Sequence, residues 1–62
     1  MGNKLKIVRE SIGMTQEELA KKSGISRTTI SMIENNDEKT TSTKTLLALA
    51  KALNTTVKEI FF

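Results

Sequence analysis

The residues with the clearest chemical potential lie between positions 27 and 35. Thr28, Ser31, Met32 and Asn35 stand at i, i+3, i+4 and i+7, with Arg27 beside them at the leading end. At about 3.6 residues per helical turn these side chains share one face, opposite Ile30 and Ile33. An ordinary solvated helix face carries Lys and Glu. This one is small and mostly uncharged, with hydroxyl and amide groups that exchange hydrogen bonds and a forked guanidinium in front. Such a face suits close approach to base edges in a DNA major groove. It equally describes an exposed Ser/Thr surface with no partner.

Other chemistry lacks its residues. There is no Cys and no His, so thiolate metal sites, disulfides and imidazole acid–base catalysis are absent. No metal cofactor is expected, and no Gly-rich phosphate loop or nucleophile–base pair is visible. Glu17 and Glu18 are adjacent carboxylates, but the start of a helix accounts for both. Two Phe and no Trp or Tyr leave no stacking platform for single-stranded nucleic acid. The net charge of +3, from ten basic and seven acidic residues, is a mild bias toward polyanions. The sequence reads as neither an enzyme nor a small-molecule binder. No signal peptide or membrane span is apparent, which makes the cytoplasm the expected location.

The elements that would position this face follow from periodicity and capping. The chain of 62 residues reads as one domain, 1–62, with a thin core. Leu5, Val8 and Ile12 predict a first helix from about Asn3 to Ser11, ended by Gly13. Thr15-Gln16-Glu17-Glu18 is a capping box that opens a second helix, with Leu19 and Ala20 inward and Gly24 at its end. Ser26 caps a third helix from Arg27 to about Asn35. The polar stretch 35–42 reads as a loop in which Asn36 takes a left-handed conformation. Ser42 or Thr43 caps a fourth helix with Leu46, Leu49, Ala50 and Leu53 inward and Leu47 to the side. Asn54 ends that helix, and Thr56-Val57-Lys58-Glu59, a second capping box, opens a short fifth helix through Ile60 and Phe61. Two capped helices joined by Ser23-Gly24-Ile25 form a helix-turn-helix pattern, in which small Ala20 permits close approach and Ile25 fills the angle.

The stretches Leu5 to Arg9, Gly13 to Ala20 and Gly24 to Asn35 resemble the Cro/phage-repressor family of xenobiotic-response-element type. Leu46 to Leu53 and Val57 to Phe61 continue the resemblance over nearly the whole chain. It implies a compact, all-α five-helix domain, with helices two and three as the helix-turn-helix, binding double-stranded DNA as a homodimer. It implies that Arg27, Thr28 and Met32 meet bases, with Ser31 on the same face. Gln16 would touch a phosphate while buttressing the third helix, and Asn35 would touch the backbone. Arg9 and Glu34 match a pair the family often joins between helices one and three. If partly exposed, the pair adds about 0–1 kcal/mol. Lys39 and Lys44 are further candidates for phosphate contact by charge and position.

The chain departs from the family pattern at several places. Asn36 and Asn54 stand where Gly is common, Thr43 where an apolar residue would fill the core, and Met32 where a hydrogen-bonding side chain is usual. Met32 can still contact a thymine methyl. Ile7 and Ile12 replace commonly polar residues. Leu47, Phe61 and Phe62 are the apolar candidates for a dimer surface. The expected function is a dimeric repressor reading a near-palindromic operator. The alternative is a protein-interaction module of the same fold, such as an antitoxin or anti-repressor. A polar face with a forward Arg favours DNA, because protein-binding helices carry larger apolar anchors.

Overall fold

In the computed structural model, described here for residues 3–35 and 42–61, the chain forms five helices and is all-α among the described residues. They are α1 (Leu5–Ser11), α2 (Gln16–Ser23), α3 (Arg27–Glu34), α4 (Thr43–Ala52) and α5 (Val57–Phe61). Helix α2 packs on both α3 and α4, α1 packs on α3 and α5, and α4 packs on α5. Leu5, Leu19, Ile30, Ile33, Leu49 and Ile60 are the largest fully buried side chains, so all five helices supply the centre of the core. Burying one such side chain stabilises the fold by about 1.5–3 kcal/mol.

Local side-chain bonds set where the helices begin. The Thr15 hydroxyl accepts from the Glu18 amide at 3.0 Å, and the Glu18 carboxylate accepts from the Thr15 amide at 2.9 Å. The Ser26 hydroxyl accepts from the Thr29 amide at 3.1 Å to start α3. Ser42 rather than Thr43 caps α4, accepting from the Thr45 amide at 3.2 Å. At α5 the Thr56 hydroxyl accepts from the Glu59 amide at 3.2 Å. These bonds satisfy amides that have no partner inside the helix.

The ends rely on left-handed backbone. Gly24 closes α2 at φ 76°, and a Cβ built there would meet nothing within 4 Å, so conformation rather than space calls for glycine. Asn54, at φ 56°, makes the corresponding turn after α4 with a side chain that tolerates it. The expectation for Asn36 falls outside the described residues.

Three expectations about the elements change. Helix α1 begins at Leu5, not Asn3: Lys4 stands at the N-cap, and the Asn3 side chain, one residue before it, accepts from the Leu5 amide at 2.9 Å from outside the helix. Leu46 is half-buried, because the inward side of α4 runs through Leu49, Ala50, Ala52 and Leu53. Thr43 is exposed in the first turn, so its hydroxyl lies at the surface and not in the core.

Candidate nucleic-acid interface

Helix α3 has two unlike sides. Ile30 and Ile33 are wholly buried, whereas Arg27, Thr28 and Asn35 are exposed and Ser31 and Met32 half-exposed. Arg27, Thr28, Ser31 and Met32 line a shallow cleft of about 320 Å³ together with Gln16 from α2. A wider cleft of about 580 Å³ at the α1–α2 junction shares Gln16 and Arg27 in its wall and adds Arg9, Thr15 and Glu17. The expected base-facing residues are therefore neighbours at one surface. Their side chains enter no hydrogen bond or ion pair among the described residues, so their donors and acceptors face outward uncommitted.

Beneath this surface lies a network that the sequence showed only in part. The Arg9 guanidinium donates from Nε to Glu34 Oε2 at 2.7 Å and from Nη2 to Glu34 Oε1 at 3.2 Å. Its Nη1 donates to the Met14 carbonyl at 2.7 Å, and Gln16 Nε2 donates to Glu34 Oε1 at 2.9 Å. The small contribution of a partly exposed pair does not apply here: the Arg9 and Glu34 side chains are 8% and 4% exposed. A forked, two-bond pair out of water behaves differently from a surface bridge. Both charges have lost solvent, and each depends on its partners. The Glu34 hydrogen bond raises the Arg9 pKa above its ordinary value, outweighing the opposing effect of burial. Arg9 thus stays charged at any working pH.

The network has a mechanical reading. Glu34 is the last residue of α3, Arg9 lies in the last turn of α1, Met14 in the connection, and Gln16 opens α2. Three bonds on one carboxylate tie the end of α3 to both other helices. Gln16 is expected to buttress α3 and touch a phosphate; one of its amide hydrogens is committed to Glu34, which leaves the second for a ligand.

Residues expected at the periphery are placed as follows. Lys44 is exposed in the first turn of α4 and Asn35 is exposed at the end of α3. Leu47 is 49% exposed. Phe61 is half-buried against the core, with only part of its ring left for a partner. Ile7 and Ile12 are exposed, at 67% and 53%. Lys39 and Phe62 lie outside the described residues. No group of side chains able to hold a metal ion occurs among the described residues. No helix among them is long and apolar enough to cross a membrane.

This arrangement is a pair of packed helices joined through a left-handed Gly24, the second presenting a polar face uncommitted among the described residues above a buried anchor. A family model described as helix-turn-helix matches residues 5–60. The chain belongs to the helix-turn-helix family of Cro and phage-repressor type. The members of that family are DNA-binding regulators. The chain is 43% identical over 61 residues, covering 98% of itself and 91% of the relative, to an uncharacterized HTH-type transcriptional regulator of Methanocaldococcus jannaschii. It is also 54% identical over 43 residues, 69% of the chain and 49% of the relative, to the antitoxin HipB of Escherichia coli K12. A second Escherichia coli strain, CFT073, has a HipB antitoxin that is 51% identical over 43 residues, covering 69% of this chain and 46% of the relative. The chain thus spans about half the length of the HipB relatives it matches.

Proposed function

We propose that this helix-turn-helix chain is a sequence-specific regulator that binds duplex DNA in the cytoplasm, most simply as a dimeric repressor. Helix α3 enters the major groove. Arg27 forks onto guanine O6 and N7, Thr28 and Ser31 bond base edges, and Met32 packs on a thymine methyl. Gln16, Asn35, Lys39 and Lys44 contact phosphates and set the register. Leu47, Phe61 and Phe62 join two copies, so that two α3 helices about 34–36 Å apart read a near-palindromic site. The observation that carries this reading is the division of α3 into a buried side and an outer side whose polar groups have no side-chain partner among the described residues.

Selection of bound duplexes from a random pool, followed by anisotropy at two salt concentrations, tests the reading. A recovered near-palindromic motif with affinity falling steeply as salt rises is expected, because bound lysines release counterions. Failure to enrich any duplex at low salt refutes it.

The names of two relatives favour a second reading, in which the same chain acts as an antitoxin. It then needs a protein partner in addition to DNA. Rescue of growth when the chain is co-expressed with a neighbouring toxin gene would support that reading, and its absence with intact DNA binding would leave the repressor.

A further inference from the structure

The last turn of α3 is held by a residue that lies outside the helix-turn-helix. Helix α3 ends at Glu34, so the Ile33 carbonyl is among the last four of that helix, which have no partner inside it. Ile33 is fully buried, and a buried carbonyl left without a bond is costly. The Asn35 amide at the helix end reaches this carbonyl only across two residues and is shared with the Ser31 carbonyl. A second donor comes from ahead of α1, where Asn3 Nδ2 donates to the Ile33 carbonyl at 2.8 Å. The same side chain accepts from the Leu5 amide at 2.9 Å, which fixes its direction. One residue later the Lys4 amide donates to the Ile60 carbonyl at 2.7 Å, pinning this segment to α5. The segment bearing Asn3 is therefore anchored on two sides.

We infer that Asn3 is a positioning residue for DNA reading, setting the rotation of the last turn of α3 through the Ile33 carbonyl. The inference rests on the DNA-binding reading above. Glu34 restrains the end of α3 on the side of α1 and α2, through Arg9 and Gln16. Asn3 adds a restraint through the main chain, one residue earlier. Together they hold Ser31, Met32 and Asn35 against twisting about the helix axis, while Arg27 at the far end depends on the Ser26 cap instead.

Asn3→Asp in the full chain separates this role from simple capping. The aspartate keeps an acceptor for the Leu5 amide but cannot donate to the Ile33 carbonyl when ionised. Two readouts are needed: the carbonyl carbon resonance of Ile33, which requires no DNA, and the affinity ratio between the selected motif and a scrambled duplex. The ratio cancels the uniform effect of the added charge. We expect a chain that still folds cooperatively with a melting midpoint lowered by several degrees, a shifted Ile33 carbonyl resonance, and a selectivity roughly three- to tenfold lower, the worth of one hydrogen bond. The loss should fall mainly at bases facing Ser31 and Met32. Asn3→Ala should match Asn3→Asp in selectivity; if it fails to fold, the Asp variant decides alone. An unmoved Ile33 resonance overturns the inference, as does unchanged selectivity when the resonance moves. Should the wild type select no motif, the DNA reading fails and the base-reading role of Asn3 fails with it, whereas the resonance still reports whether Asn3 holds α3.

Discussion

At the scale of single residues, the outer face of α3 and the first turn of α2 make separate predictions. Arg27→Ala should cost about 1–3 kcal/mol of operator affinity and relax the preference at one base, read by repeating the selection with the variant. Stability should barely change, because Arg27 is exposed and holds no internal bond among the described residues. Glu18 predicts a pH effect. Its carboxyl is held below the ordinary glutamate range, first by the Thr15 backbone amide and second by the Thr15 side chain. The folded chain therefore binds that proton less readily than the unfolded chain. The stabilisation is present above the ordinary glutamate pKa of about 4.3 and disappears as pH falls through the lower folded value. Glu18→Gln keeps an acceptor but nothing to titrate. Thermal melts of the two proteins should converge as pH is lowered, and a constant gap would refute the effect. Both residues were legible in the sequence, because a helical period and a capping box are local. The third bond on Glu34 was not: Gln16 lies 18 residues away, and only the crossing of α2 and α3 brings the two within 2.9 Å.

At the scale of elements, the buried pair and the turn decide whether the helices meet correctly. Arg9→Met removes two of the three bonds on the nearly buried Glu34 carboxylate and its neutralising charge, leaving only the Gln16 amide, a change that costs about 3–5 kcal/mol in buried pairs. A domain this small has a total stability of similar size, so the single variant should be largely unfolded at 25 °C. Arg9→Met with Glu34→Gln should recover much of the loss, and urea unfolding of the full cycle measures the coupling. Equal losses in the single and double variants would show that the charge itself is not the difficulty. Gly24→Ala should cost about 1–2 kcal/mol from its left-handed backbone alone, with no added clash because a Cβ there meets nothing within 4 Å. The starts of α2, α3 and α4 were readable because Thr15, Ser26 and Ser42 act on amides three residues ahead. The start of α1 was displaced because Asn3 serves two helices at once, a long-range role that no local pattern announces. Burial of the Arg9–Glu34 pair was equally hidden, since charge type in a sequence carries no depth.

For the whole molecule, the open matter is assembly on DNA. Leu47 is about half exposed and stands outside the core, so Leu47→Glu should leave the melting midpoint nearly unchanged. It should reduce the stoichiometry on a selected palindromic duplex from two copies toward one, as measured by sedimentation, together with Phe62→Ser. Two copies per site in both variants would remove this surface from the proposal. Such a surface is poorly legible in one sequence, because its partner is another copy of the chain and periodicity reports only the side facing the chain's own core. The separation of α3 into an anchored interior and an unbonded exterior has a consequence for divergence. Arg9, Gln16 and Glu34 share one set of bonds, so a change at any of them must be answered by the others. Arg27 and Thr28 carry no such obligation among the described residues. Duplicated copies of this gene could therefore drift to new target sites by changes at the exterior positions, each intermediate still folding, while the frame beneath is inherited intact.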